Sequence, residues 1–136
     1  MFALGRAFNL ATSATTAATP IRMDQCQSVT IAMIGATSGN ATLQETKDNA
    51  GTGAQNLARI TTYWTWSAGV WTKHTQAAAA TATAAAGGLL VFEVDAAMLD
   101  DLYNHITVSH ATGSFVIIQN GLAVQRGPAN LASNLT

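Results

Sequence analysis

The sequence predicts an all-β protein: an antiparallel β-sandwich or jelly roll of about eight strands, with one short helical turn and an extended N-terminal arm. Two observations predict it. Short runs of β-branched, aromatic and apolar residues recur along the chain, and clusters of Gly, Asn, Asp and Ser punctuate them at close intervals. That regular punctuation fits a sandwich better than an alternating α/β sheet. At 136 residues the chain suits one core, which buries roughly two-thirds of the surface that the unfolded chain exposes.

Met1 to Pro20 reads as an arm or an edge strand. Its second half, LATSATTAATP, is built of small residues without a hydrophobic period, and the closing proline favours extended backbone before it. Fully extended, 20 residues reach about 65 Å, enough to cross onto a neighbouring subunit. Residues 21–126 form the sandwich domain and 127–136 a C-terminal tail.

Within the domain, SVTIAMI at 28–34 alternates with Val29, Ile31 and Met33 on one face, and GATSGN supplies the turn that follows. Ala41 to Glu45 resumes as a strand until DNAGTG breaks it. ITTYWTW at 60–66 is the strongest strand signal. Its period of two places Trp64 and Trp66 on one face with Thr62, and Tyr63 with Thr61 and Thr65 on the other. Ser67 to Gly69 then turns the chain into VWTKH, giving a hairpin. The tryptophans are expected in the core, because large aromatics supply most of the burial in a chain otherwise rich in alanine.

The run QAAAATATAAAGG is compatible with a helix or a strand; the flanking strands and the lack of a large apolar anchor favour a small-residue strand or loop. LLVFEV at 89–94 is a buried-strand pattern ending at Asp95, a natural N-cap, after which AAMLDDLY is expected to make two helical turns with Met98, Leu99 and Leu102 inward. Ile106 to Ser109 and Ser114 to Gln119 are further strands, and Asn120-Gly121 predicts a hairpin joining FVIIQ to LAVQR.

Alanine and threonine fill 46 positions, whereas charged residues make only 10% of the chain against roughly 25% in typical soluble domains. So little charge is a weak electrostatic defence against association, which suits a protein that works in contact with copies of itself or with partners. A formal charge of −1 argues against nucleic-acid binding, which needs a face rich in lysine and arginine. The lone Cys26 cannot form an intramolecular disulfide. The first residues lack the basic segment and unbroken apolar run of a signal peptide, and no stretch approaches the roughly 20 apolar residues of a membrane helix. No export and no membrane partner are therefore expected.

Catalytic signatures are weak. His74, His105 and His110 complete no zinc spacing, and Asp95, Asp100 and Asp101 lack the ligand alternation of a calcium loop. Gly51-Thr52-Gly53 lacks the third glycine and the following helix of a dinucleotide site, and there is no G-x-S-x-G elbow. Neither an enzyme nor a cofactor is expected.

The segment TLQETKDNAGTGAQNLARITTYW, a strand passing through a D-x-x-G-T-G-A turn into an aromatic strand, resembles a group of small virion structural proteins of tailed bacteriophages. LLVFEVDAAMLDDLYNHITVSHA is similar to a second recurring pattern of that group, an apolar strand, an acidic Leu-Asp turn and another strand; together the two cover about a third of the chain. The resemblance implies a virion component assembled in the bacterial cytoplasm, with a capsid decoration or cement protein favoured over a tail, neck or head-completion component. The partners implied are the major capsid protein, other virion proteins and other copies of the chain, a trimer among the arrangements. A host-surface glycan-binding module with a tryptophan platform is the alternative. Contacts are expected at the termini, through Phe2, Leu4, Phe8, Leu10, Ile21, Leu131 and Leu135.

Overall fold

The computed structural model describes residues 10–13, 20–35 and 38–123, which form two antiparallel sheets packed as a β-sandwich. The strands are β1 Leu10–Ser13, β2 Ile21–Arg22, β3 Ser28–Ile34, β4 Gly39–Thr46, β5 Gln55–Asn56, β6 Ile60–Ser67, β7 Val70–Ala79, β8 Thr81–Ala84, β9 Leu89–Asp95, β10 His105–Ser109 and β11 Ser114–Asn120. One sheet has the order β1-β11-β3-β9-β6-β7; the other has the order β2-β10-β4-β5, with β8 also paired to β4.

Alternation on each strand builds the core. Val29, Ile31 and Met33 of β3, Leu90, Phe92 and Val94 of β9, and Phe115 and Ile117 of β11 point inward from the large sheet; Ala41 and Leu43 of β4 and Ile106 and Val108 of β10 meet them. Fully burying each large chain contributes roughly 1.5–3 kcal/mol, which is how a protein with so many alanines still fills a sandwich. Gln119 ties the layers together, its Nε2 donating 2.9 Å to the carbonyl of Arg22.

The turn chemistry of DNAGTG is explicit. Asp48 Oδ1 accepts the N–H groups of Ala50 and Thr52 at 3.0 and 2.9 Å, while Thr46 Oγ1 donates to the Asp48 carbonyl at 2.8 Å. Hydrogen bonding from the Thr52 side chain first and its N–H second, with a smaller part from the Ala50 N–H, holds the Asp48 carboxyl below its ordinary range.

The β6–β7 hairpin closes with Ser67 paired to Val70, so Ala68 and Gly69 are its two turn residues, with φ of 50° and 82°. Positive φ at both is the turn geometry that matches strand twist, and it is unfavourable for alanine. Gly88 serves differently: a Cβ there would lie 2.2 Å from the carbonyl oxygen of Trp66, so only glycine admits this close approach.

Several expectations are corrected. The strands number eleven among the described residues, because β1, β2, β5 and β8 are short pieces without a strong apolar pattern. The Ala-Thr run, by contrast, is strand as favoured: β7 continues to Ala79, then the chain crosses as β8 to the other sheet, and Gln76 Nε2 bridges the carbonyls of Ile60 and Thr81. The two helical turns reduce to one 3-10 turn, Ala96–Met98, whose preceding Asp95 makes no capping hydrogen bond through its side chain. Leu102, with φ of 73°, is 84% exposed rather than inward. Among the described residues, Gly121 to Ala123 do not pair back onto β11 as the Asn120-Gly121 hairpin would require. β11 is already flanked by β1 and β3, and the N–H of Ala123 instead donates to Gln25 at 2.9 Å.

Candidate functional site

The outward face of the six-stranded sheet is the most distinctive surface of the protein. Directly opposed residues in antiparallel strands share a face, so the registers define rows across it. One row runs Ser114, Ile34, Leu89, Trp66, Trp71; the next runs Val116, Ala32, Val91, Trp64, Lys73. Each spans five strands, or about 19 Å. Ile34 is 51% exposed, Trp64 38%, Trp66 39% and Trp71 55%. A third row, Ile118, Thr30 and Glu93, brings the face to a polar end where Asp95 also lies.

The expectation that the tryptophans fill the core is thus overturned. β9 sets the parity of β6: Leu90, Phe92 and Val94 are committed inward through β3, so Thr65 opposite Leu90 turns inward, while Trp64 opposite Val91 and Trp66 opposite Leu89 turn out. The inner side of β6 is completed by Tyr63, stacked on His74 at 4.7 Å, and by Thr65, whose Oγ1 lies 2.8 Å from His74 Nε2.

Among the residues expected at interfaces, Ile21 is buried at 1% exposure and packs in the core, because β2 holds it opposite Ile106; it is not available to a partner. Leu10 lies in β1, opposite Ile118. Phe2, Leu4, Phe8, Leu131 and Leu135 lie outside the described residues.

Several ionisable residues are tied into the fold. Glu45, fully buried, accepts Gln55 Nε2 at 2.6 Å and the N–H of Asp100 at 2.9 Å; Asp100 in turn pairs with Arg59 at 3.2 Å and with Gln55 Nε2 at 3.2 Å. His105 is buried beside Asn104 Oδ1 at 2.6 Å, and that burial, with the Arg22 charge, lowers its pKa. His110 Nδ1 lies 2.7 Å from the carbonyl of Thr112; its buried Nε2 has no partner among the described residues. Burial pushes the Cys26 thiol up to about 11. Among the described residues no group of three or more His, Cys, Asp and Glu side chains is placed to hold a metal ion. No described helix is long and apolar enough to cross a membrane.

Comparison with protein-family models, with curated proteins and with solved structures finds no match. The site therefore stands on its own geometry. Sequence reasoning found the two-faced character of ITTYWTW and chose the wrong face for burial. The signal that could have decided it was the stronger inward demand of LLVFEV.

Proposed function

We propose that this chain is a non-enzymatic structural protein of a tailed-phage particle, a capsid decoration or cement protein that binds the assembled head. One observation carries the assembly part of the reading: a contiguous, charge-poor apolar sheet face with three exposed tryptophans, the kind of patch that marks a protein–protein contact. The phage part is supported by the resemblance of the two segments, and the fold supplies a physical reason for their pairing. Glu45 of the first segment holds the backbone of Asp100 in the second. A multicopy coat protein needs little affinity per contact, since avidity multiplies weak contacts.

Quantitative mass spectrometry of purified particles tests this. On the order of hundreds of copies per particle supports a lattice-bound decoration protein, whereas about six or twelve supports a ring in the neck or tail. Absence from particles overturns the virion reading.

The exposure of Trp66 directly opposite Trp71 also favours a second reading, a glycan platform on a host surface. Trp64→Ala and Trp66→Ala would then abolish glycan binding with folding retained; failure of the wild-type chain to bind any sugar on a glycan array removes it.

A further inference from the structure

We infer that the open edge of β7 pairs antiparallel with the β7 edge of a second copy of this chain, centred on Thr72, so that the two six-stranded sheets join into one. β7 is the last strand of its sheet and ladders to β6 alone among the described residues. Ser67 and Val70 close a two-residue turn and so exchange both of their backbone hydrogen bonds; alternation then turns Thr72 and His74 towards β6 as well. Trp71, Lys73 and Thr75 therefore direct their N–H and C=O groups to the open edge, where no backbone partner reaches them among the described residues. Such a row of free donors and acceptors is a template for another strand.

The edge is blunted at one end only. From Thr62↔Thr75 to Ile60↔Ala79 the chain advances two residues on β6 and four on β7, so β7 bulges at 76–78, and Gln76 turns back to the carbonyls of Ile60 and Thr81. Val70 to Thr75 is a regular ladder without proline or glycine. Cover is missing here too: Val70 lies on the core side of β7, yet it is 61% exposed.

The residues of this edge select a copy of themselves. A two-fold axis normal to the sheet keeps the outward faces together and sets each register by the residue on the axis. Centring on Lys73 opposes two like charges. Centring on Trp71 runs the pairing into the turn at Ala68 and Gly69, and centring on His74 runs it into the bulge. Centring on Thr72 pairs Trp71 of each copy with Lys73 of the other, and Val70 with His74. Both Trp71–Lys73 pairs then exchange their backbone hydrogen bonds, and each ammonium lies beside an indole face, a cation–π contact. The exposed Val70 and Trp71 each gain a neighbour, and the row Leu89, Trp66, Trp71 runs on into Lys73, Trp64 and Val91 of the other copy.

This contact forms between copies in solution and needs no particle, so its failure leaves the coat-protein reading standing. Sedimentation velocity of the full chain should show a concentration-dependent dimer. Lys73→Pro removes an N–H from the open edge and none from the β6 ladder, so it should leave a monomer whose far-UV circular dichroism is that of the wild type. Trp71→Lys opposes like charges and should weaken the dimer about tenfold or more, whereas Trp71→Glu sets a carboxylate opposite each Lys73 and should keep it. Thr72→Cys should oxidise to a covalent dimer, because a non-hydrogen-bonded pair on the axis holds its Cα atoms about 4.5 Å apart. Val70→Cys, about 13 Å from its mate in this register, should not. A full chain that stays monomeric overturns the inference, as does association unmoved by Lys73→Pro, equal loss in Trp71→Lys and Trp71→Glu, or Val70→Cys cross-linking as well as Thr72→Cys.

Discussion

The carboxylate of Glu45, fully buried in β4, accepts the backbone N–H of Asp100 at 2.9 Å across 55 positions of sequence. Its other oxygen takes Gln55 Nε2 at 2.6 Å, and Arg59 binds both Asp100 and the Met98 carbonyl, at 3.2 and 3.3 Å. The loop after β9 is thereby fastened to the β4–β5 end of the other sheet. Glu45→Ala strands the Asp100 N–H and the Gln55 amide in a dry site, and should cost about 2–3 kcal/mol in chemical denaturation. Glu45→Gln should cost less, because the amide oxygen still accepts from Asp100.

The exposed aromatics and the buried one should respond oppositely. Trp66→Thr and Trp71→Thr keep β propensity and remove outward surface, so thermal melts should place both within about 1 kcal/mol of wild type. Tyr63→Ala removes a buried ring stacked on His74 and should cost about 3 kcal/mol.

Two backbone positions should move stability in opposite directions. Ala68 sits at φ of 50°, and Ala68→Gly relieves that strain for a gain of about 0.5–1 kcal/mol, offset in part by glycine's extra freedom in the unfolded chain. Gly88→Ala drives a methyl group into the Trp66 carbonyl and should cost about 1–3 kcal/mol or prevent folding. Urea titration of both variants reads the two signs directly.

Stability should fall at both ends of the pH range. The folded Cys26 thiol titrates at about 11 against an ordinary value of 9.0, so above pH 9 the unfolded chain loses a proton that the folded chain keeps. Stability is fully present below 9 and declines as pH rises towards 11, by about 2–3 kcal/mol, a decline that Cys26→Ala should remove. His105 has a lowered folded pKa, so the unfolded chain binds the extra proton; its contribution is complete above about 6.5 and fades as pH drops below it. Denaturation midpoints against pH report both slopes.

The sheet was legible wherever a strand had one strongly apolar side. Ser28–Ile34 and Leu89–Asp95 declare their buried faces because only one alternate set is large and apolar. Ile60–Ser67 carries aromatics on both sides, so its burial depends on its neighbour's register, which local sequence does not contain. Asn120-Gly121 carries a strong hairpin signal, yet a strand already flanked on both edges has no place for a third neighbour. The role of Glu45 was hidden because nothing in TLQET distinguishes a buried carboxylate from an exposed one until Asp100 is brought to it.

The proposed coat-building role requires the tryptophan face to be covered in an assembled particle. Cryo-EM reconstruction of the particle tests it most directly. Sandwich density is expected on the capsid lattice at threefold or local threefold axes, with Ile34, Trp66 and Trp71 buried against another polypeptide. A reconstruction in which the protein is absent, or in which that face looks into open solvent, contradicts it.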